Sequence, residues 1–396
     1  MRIDDVRWRE GRAFSLAYNA GPDALAVAEE AYRRFSGENA LSTNAFPSLK
    51  RIQNEVVTMA GEWLGATVES AGFMTSGGTE SILMAVKAAR DRLLKEHNVT
   101  EPNIVMATSA HAAFEKAAAY FGLSVRRAAV LADWRADVVA MSQLVDENTV
   151  LIAGSAPQYP QGVVDDIPAI AQIALEHNIN FHVDACMGGV TLAYLARLGE
   201  NIPPWNLQVP GVSSISVDLH KFGYTSKGAS VIMYASKYLR SFQGFVTDNW
   251  LGGLYASSGA LGTKSGGSMA SAWAVMQFFG EDGYLRLTRE ARDATLQLAE
   301  HIDKSKTLRL RAKPQTTLLS FGASDPDNLN IFAVADELLN RGWYVDRQSP
   351  PDSLHCTVNA IHHDKIAWFT RDLDDSVAAV LSAKSAGTVG SYGTLE

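Results

Sequence analysis

From about Ala71 to Tyr234 the sequence alternates short apolar runs with stretches of helical periodicity. Three of the runs, TVLIAGSAP, NFHVDA and SSISVD, are rich in β-branched residues and are bounded by turn-forming residues. The stretch PAIAQIALEHN, with helical spacing, separates the first two of them. Strands that are joined by helices and buried on both faces form mainly parallel sheets. The pattern therefore predicts an α/β fold in which helices cover both faces of one large sheet.

The segments on either side of this alternation have a different character. Before it, Pro22–Phe35 and Leu49–Gly65 carry helix-spaced apolar residues. After it come a glycine-rich connector (residues 252–267), a long helical stretch and an alternation of short strands and helices. We therefore expect an N-terminal helical segment at residues 1–65, a large domain at residues 66–280 and a small α+β domain at residues 281–396.

Composition narrows the possible functions of the 396-residue chain. The net charge is −8, and without a run of Lys and Arg it gives no support for nucleic-acid binding. The two cysteines, Cys186 and Cys356, suit a reducing compartment better than a disulfide scaffold. The charged N-terminus lacks the apolar stretch of a signal peptide, and no apolar run is long enough to be a transmembrane segment. We expect a soluble, cytoplasmic protein.

The strongest local signal is SVDLHKFGYTSKG, residues 216–228. Lys221 follows a predicted buried strand, where partial desolvation favours the neutral amine that can form an imine. His220 beside it could donate a hydrogen bond to an anion or stack on a ring. Taken alone, the same two residues would also suit an ordinary surface loop.

Asp184 ends another predicted strand, in FHVDACMGG. Ligands of doubly wound sheets bind at the carboxyl ends of strands, where an acid can hold a protonated nitrogen or a metal ion, or simply cap a turn. His182 should point to the opposite face from Phe181 and Val183. Because no further ligands are evident nearby, we predict no metal site.

Glycines and a histidine complete the set of candidate positions. In MTSGGTESI, Gly77 and Gly78 let backbone amides approach a ligand, and the helix that begins near Thr79 adds free N–H groups. This arrangement suits a phosphate group, although an ordinary helix N-cap has a similar pattern. His111, at a strand-to-helix junction, could stack on a planar ligand, or could be a helix-start residue without a role.

The order of these features along the chain is more specific than any one of them. A planar phosphorylated pyridine needs an anchor for its phosphate, a stacking partner, an acid at its ring nitrogen and an amine for a Schiff base. Gly78, His111, Asp184 and Lys221 supply these in sequence order. We therefore predict that the chain binds pyridoxal 5'-phosphate as a Schiff base on Lys221.

Several segments resemble a known family of such proteins. HVDACMGG, SVDLHKFGYTSKG, TSGGTES, SAPQYPQG and GGLYASS resemble fold-type-I pyridoxal-phosphate enzymes, and more narrowly the sphingosine-1-phosphate lyases of the group II decarboxylase-like superfamily. The resemblance extends from near Trp8 to about Cys356. It implies the fold-type-I architecture, with a large mainly parallel-sheet domain and a small C-terminal α+β domain.

The resemblance also implies a role for individual residues. Lys221 matches the Schiff-base lysine, Asp184 the acid at the pyridine nitrogen, and His111 the stacking histidine. The further cofactor contacts it implies are Gly78, Thr79 and His220 at the phosphate, Ser155 near the ring hydroxyl, Cys186 against the other ring face, and Thr263 from the partner subunit of a homodimer. Tyr18 and Lys227 match positions that face a substrate phosphate.

Two positions depart from the family pattern. Ser42, in NALSTNAFPS, stands where the family has a histidine, and Lys264 stands where the partner-subunit loop has an arginine. Lysine does not reproduce the bidentate grip of arginine, although Thr263 can make the hydrogen bond of the family's serine. Both changes fall where the family binds phosphate groups.

The reaction implied by the resemblance is a retro-aldol cleavage of a phosphorylated β-hydroxy amine to a fatty aldehyde and phosphoethanolamine. Lys221, His220 or the cofactor phosphate would act as the base. The main alternative is an amino-acid decarboxylase on the same scaffold, which needs no substrate-phosphate contact and is favoured by Ser42. A β-hydroxy amino-acid aldolase and an inactive scaffold that only binds the cofactor are further alternatives.

Overall fold

The computed structural model describes residues 4–97, 99–383 and 386–390. Its helices are α1 (Pro22–Arg34), α2 (Pro47–Leu64), α3 (Gly78–Glu96), α4 (Ala113–Phe121), α5 (Val138–Gln143), α6 (Ile167–His177), α7 (Thr191–Arg197), α8 (Lys237–Ser241), α9 (Gly267–Asp303), α10 (Ile331–Asn340) and α11 (Ile366–Ala383). Its strands are β1 (Ala71–Thr75), β2 (Asn103–Ala107), β3 (Ser124–Ala128), β4 (Thr149–Ser155), β5 (Asn180–Asp184), β6 (Ser214–Val217), β7 (Ser230–Tyr234), β8 (Phe245–Thr247), β9 (Tyr255–Ser257), β10 (Leu308–Leu310), β11 (Leu318–Ala323), β12 (Asp346–Gln348) and β13 (Ser353–Thr357).

A seven-stranded sheet in the order β1-β7-β6-β5-β4-β2-β3 is the centre of the larger part of the chain. The neighbouring pairs from β6 to β3 are parallel, whereas β7 runs antiparallel to both β1 and β6. This confirms the predicted α/β architecture with a large, mainly parallel sheet. Because β1 and β6 point the same way as β2, β4 and β5, all of these strands end at one edge of the sheet.

Apolar side chains explain why these segments form strands and helices. Every residue of β2, β4 and β5 is buried, as expected for strands covered on both faces. Ile82 and Val86 of α3 and Phe114 of α4 pack with Ile104 of β2 in one cluster. Each such buried side chain contributes about 1.5–3 kcal/mol. Asp166 begins α6 by accepting a hydrogen bond from the Ala169 amide, and Asn178 ends it in a left-handed conformation.

The chain forms two compact units. One comprises Leu25–Gln158 and Val164–Gly280 and contains the seven-stranded sheet. The other comprises the chain up to Ala24, Tyr159–Val163 and the chain from Glu281. In it the antiparallel sheet β10-β11-β13-β12 packs with α10 and α11 around a core that includes Trp343 and Phe369.

Some elements differ from the sequence expectation. The long helical stretch from Met269 is interrupted at Gly280, whose φ of 54° is not helical. Strand β3 was not predicted because its sequence, SVRRA, carries two arginines. They are accommodated at the sheet edge, where Arg126 pairs with Asp146 at 2.5 Å and Arg127 with Glu115 at 2.8 Å.

Two global features concern membranes and redox chemistry. Within the described ranges, no helix combines the length and apolarity needed to cross a bilayer. Cys186 and Cys356 are both buried and are not joined in a disulfide.

Candidate active site

Most of the candidate residues follow the strands that end at one edge of the large sheet. Gly78 lies three residues after β1, and His111 lies four residues after β2. Asp184 is the last residue of β5, beside Ser155 at the end of β4. Lys221 lies four residues after β6. The sheet topology therefore brings together residues that are far apart in sequence.

Lys221 contacts an acidic residue that the sequence analysis did not single out. Its Nζ atom lies 3.0 Å from Oδ2 of Asp218, whose side chain is 2% exposed. Burial acts to raise the pKa of Asp218, but the positive charge of Lys221 opposes it most strongly, and the pKa lies below its usual value. Asp218 is therefore a carboxylate, and it is the negative charge in direct contact with the lysine.

Gly77 and Gly78, at the start of α3, form a cradle with no room for a side chain at Gly78. A Cβ atom on Gly78 would lie 2.7 Å from Sγ of Cys186 and 2.8 Å from Oδ2 of Asp218. At Gly77 the nearest atom, Cε1 of His220, would be 3.4 Å away. The first N–H groups of α3 have no partner within the helix, so an anion can bind them.

His111 is neutral and held in one orientation. Burial lowers its pKa, although the negative charges of Asp184 and Asp218 act in the opposite direction. Its Nδ1 atom accepts a hydrogen bond from the Ala113 amide at 3.1 Å, which leaves the proton on Nε2. A neutral, fixed imidazole of this kind presents a flat face to a ligand.

Hydrogen bonds from backbone amides to acidic side chains fix the ends of β4 and β5. Asp184 Oδ1 accepts the amide of Cys186 at 3.0 Å. The buried carboxyl of Asp165 accepts the amides of Ser155 and Ala136, each at 2.8 Å. Burial raises the pKa of Asp165 to about 6. These contacts hold Ser155 and Asp184 rigidly side by side.

Cys186 and His182 are buried in the same region. Burial raises the pKa of the Cys186 thiol, which donates to Oγ of Ser216 at 3.2 Å. His182 contacts the hydroxyls of Ser214 and Ser216 at 2.8 and 3.1 Å. In the part of the chain that the structure describes, no group of three acidic, histidine or cysteine side chains is arranged to hold a metal ion.

His220 and Lys227 lie on the loop between β6 and β7. His220 Nδ1 accepts the Ala229 amide at 3.3 Å, so its Nε2 atom carries the proton and lies 3.8 Å from Oδ2 of Asp218. Burial lowers the pKa of His220. Partial desolvation and then the charge of Lys221 lower the pKa of Lys227 to about 8.

Ser42 and Thr263 lie together on a different part of the same unit. Both are exposed, and Thr263 Oγ1 accepts a 3.4 Å hydrogen bond from Asn39. The amide of Ala40 donates to the carbonyl of Lys264 at 2.8 Å, which aligns the two segments. The structure therefore groups Ser42 with the connector that carries Thr263.

Thr79 is exposed in the first turn of α3.

Tyr18 belongs to the other compact unit. There it lies near Tyr159, whose hydroxyl donates to Asp346 at 2.6 Å. Burial raises the pKa of Tyr159 well above its ordinary value.

The residues at the sheet edge fit pyridoxal phosphate. The cradle at Gly78 excludes any side chain, and an anion there would meet the first N–H groups of α3, with the ring of His220 beside Gly77. Lys221 offers an amine, Asp184 a carboxylate and His111 a neutral ring. In this order, these groups suit the phosphate, the aldehyde, the ring nitrogen and the ring face of the cofactor.

Sequence reasoning missed Asp218 and Asp165. Asp218 stands three residues before Lys221 in SVDLHK, and this spacing at a strand end was the available signal. Asp165 gave no comparable signal, because its contacts with Ser155 and Ala136 depend on how the chain returns to β4.

Comparisons with known proteins relate the chain to pyridoxal-dependent enzymes. A profile of the family described as "Pyridoxal-dependent decarboxylase conserved domain" matches residues 6–324. The chain is 37% identical over 389 residues to "Sphingosine-1-phosphate lyase 1" of Rattus norvegicus, an alignment that covers 98% of this chain and 68% of the rat protein. It is 31% identical over 411 residues to "Probable sphingosine-1-phosphate lyase" of Legionella pneumophila, covering 98% and 66% of the two chains.

Solved structures of similar proteins have the same fold. A sphingosine-1-phosphate lyase from Burkholderia pseudomallei superposes with a TM-score of 0.90 at 34% identity, covering 95% of this chain and 88% of the other. Glutamate decarboxylase from Lactobacillus brevis shares the fold, with a TM-score of 0.84 at 19% identity over 98% of this chain and 91% of the other. The chain belongs to the family of pyridoxal-dependent decarboxylases and sphingosine-1-phosphate lyases, enzymes that use pyridoxal phosphate.

Proposed function

We propose that this protein is a lyase that cleaves the Cα–Cβ bond of a phosphorylated, long-chain β-hydroxy amine, giving a fatty aldehyde and phosphoethanolamine. The observation that carries the proposal is the convergence of Lys221, Asp184, His111 and the Gly78 cradle at one sheet edge. It occurs in a chain that is 37% identical to a sphingosine-1-phosphate lyase over 389 residues.

Bound pyridoxal phosphate supplies a pyridine ring that accepts the electrons of the broken carbon–carbon bond. In our assignment Lys221 holds the cofactor through its nitrogen, and Asp184 holds a proton at the ring nitrogen. His111 would stack on the ring, and Cys186 and Ser155 would be further contacts of the ring. The N–H groups of Gly78 and Thr79 would bind the phosphate.

His220 acts as a phosphate donor in this assignment. Its Nδ1 atom already accepts the Ala229 amide, so Nε2 carries the proton, and the ring lies beside Gly77 of the cradle. A histidine in this tautomer has no free lone pair with which to accept the substrate hydroxyl proton. The nitrogen of Lys221 and the cofactor phosphate are then the groups that could accept it.

The substrate phosphate would lie near Lys227. We assign Lys227 the main electrostatic role, because it is charged at neutral pH and adjoins Lys221. Ser42 replaces the histidine of the family with a smaller, uncharged donor. Since Thr263 is exposed on the connector, we propose that it contacts the cofactor phosphate of a partner subunit in a cytoplasmic homodimer.

An amino-acid decarboxylase is the second candidate, and Ser42 is the observation that favours it. Decarboxylation needs no contact with a substrate phosphate, so a serine in place of the histidine at this position would not impair that reaction. The products distinguish the two reactions.

The test combines an absorption spectrum with a product screen. The wild-type protein loaded with cofactor is expected to have an imine absorption band that borohydride removes and that Lys221→Ala lacks. Lys237→Ala, which changes an exposed lysine on α8, should keep the band. Incubation with sphingosine-1-phosphate should release a long-chain aldehyde. Carbon dioxide from an amino-acid panel would establish the decarboxylase instead, and a band without any product would establish an inactive scaffold.

A further inference from the structure

Asp218 is a buried carboxylate to which the assignments above give no role. Its Oδ2 atom lies 3.0 Å from Nζ of Lys221, and its Oδ1 atom is buried without a hydrogen-bond partner among the described residues. Burying a charge without satisfying all of its acceptor sites destabilises a fold. Because Asp218 is buried at this cost beside the anchor lysine, we infer that it has a function there.

The carboxylate is also fixed in place. The Asp218 amide donates to the carbonyl of Cys186 at 3.3 Å, and the Lys221 amide donates to the carbonyl of Asp218 at 3.1 Å. The second bond closes a turn that places the two side chains on the same side. A Cβ atom on Gly78 would lie 2.8 Å from Oδ2, so the backbone of the cradle packs closely against the carboxylate.

Charged and titratable groups surround Lys221 from several elements. They are Asp218, His220 and Lys227 around the β6–β7 loop, His111 after β2, and Asp184 and Cys186 at the end of β5. His111, His220 and Cys186 are neutral because they are buried. Lys227 repels a charge on Lys221, and Asp184 attracts one. Asp218 is the acid in direct contact with the amine.

We propose that Asp218 is a positioning residue that keeps the Lys221 nitrogen protonated and directed at the cradle. The inference rests on the proposed role of Lys221 as the cofactor anchor. Burial alone favours a neutral amine, whereas an opposite charge within about 4–6 Å raises the pKa of a basic nitrogen by about 1–3 units. This excludes Lys221 from the two candidate proton acceptors named above, because an amine that stays protonated after the substrate displaces it can donate a proton but not accept one.

The test is a pH titration of the absorption band of the complete holoenzyme. Asp218→Asn keeps the shape of the side chain but removes its charge. The pKa of the Lys221 nitrogen, read from the pH dependence of the band, should therefore fall by one unit or more. Asp218→Glu should restore most of the shift. Asp166→Asn, which exchanges one good helix-capping residue for another on α6, should titrate like the wild type.

Two outcomes separate this inference from the function on which it rests. A band that titrates identically in wild type and Asp218→Asn, while Lys221→Ala lacks the band, overturns the role of Asp218 alone. A band that persists in Lys221→Ala overturns the anchor assignment itself. If Asp218→Asn does not fold, Asp218→Ser serves in its place, with the same expected shift.

Discussion

Lys227 illustrates how the neighbours of a single residue set its charge. Partial desolvation and the positive charge of Lys221 lower its pKa to about 8, while Asp218 opposes the shift. The side chain is therefore mostly charged at neutral pH and loses its charge in mildly alkaline solution. An exposed lysine would stay charged throughout this range.

This titration makes a prediction about substrate affinity. If Lys227 binds the substrate phosphate, the KM for a phosphorylated amine should rise as pH increases through about 8, because the ammonium form disappears. Lys227→Met should raise KM by about 10- to 100-fold at pH 7, the usual value of a hydrogen bond to a charged group. Lys227→Arg stays charged, so its KM should not rise in this range.

Steady-state kinetics between about pH 6.5 and 9.5 would test this. The same alkaline rise of KM in Lys227→Arg would assign the titration to another group and contradict the prediction.

At the scale of elements, Glu80 ties the first turn of α3 to the glycine-rich connector. Its Oε2 atom accepts the Ser76 amide at 2.6 Å, and its Oε1 atom accepts the Ala260 amide at 2.8 Å. A Cβ atom on Gly259 would lie 2.7 Å from Oε1, so the connector passes too close for a larger residue. Lys264 adds a cation 4.5 Å from the centre of the Phe73 ring. The cradle and the connector are thus held together as one substructure.

Removing this carboxylate should loosen the connector. Glu80→Ala leaves the amides of the exposed residues Ser76 and Ala260 without their shared acceptor, so the contact between the first turn of α3 and the connector is lost. We expect faster tryptic cleavage after Lys264 and a pyridoxal phosphate affinity reduced about tenfold or more. Mass spectrometry of the digest and absorbance titration of the cofactor measure these effects.

The matched control is Glu62→Ala, which removes an exposed glutamate of α2. It should match the wild type in both assays. Equal cleavage rates at Lys264 in Glu80→Ala and wild type would show that the connector is held by other contacts.

At the scale of the whole molecule, buried histidines make both compact units sensitive to acid. Burial lowers the pKa of His182 and of His355 to about 4, and that of His362 to about 3. Unfolding returns each pKa to about 6.5. Below pH 6.5 the unfolded chain therefore binds protons that the folded chain does not, and stability falls until the folded pKa is reached. Asp165, whose pKa is raised to about 6, acts in the opposite direction because its folded form is protonated first.

The predicted result is a free energy of unfolding that decreases from pH 7 to 5. Each histidine contributes a slope of up to about 1.4 kcal/mol per pH unit. His182→Gln should reduce the slope by the contribution of one titrating group, up to about 1.4 kcal/mol per pH unit. His363→Gln, at an exposed position, should leave the slope unchanged. Urea unfolding followed by tryptophan fluorescence provides the measurement. A free energy that stays constant over this range would disprove the role of the buried histidines.

The sequence by itself determined the α/β class, the main strands of the large sheet and the order of the candidate residues. Buried parallel strands are apolar on both faces, and this property is visible in segments such as β4 and β5. Residues at strand ends then meet at one edge, which is why Asp184 and Lys221 could be grouped from their sequence positions. The family resemblance added roles to these residues, and it alone pointed to Ser155, Thr263, Tyr18 and Lys227.

Only the tertiary structure decided which groups touch. The reversal of β7, the charged edge strand β3 and the break in α9 at Gly280 depend on pairing and packing between distant segments. The pairing of Asp218 with Lys221 required the geometry of the turn after β6. Charge and protonation depend on distances of a few ångströms and on burial. A sequence orders the residues along the chain, but the folded chain sets those distances.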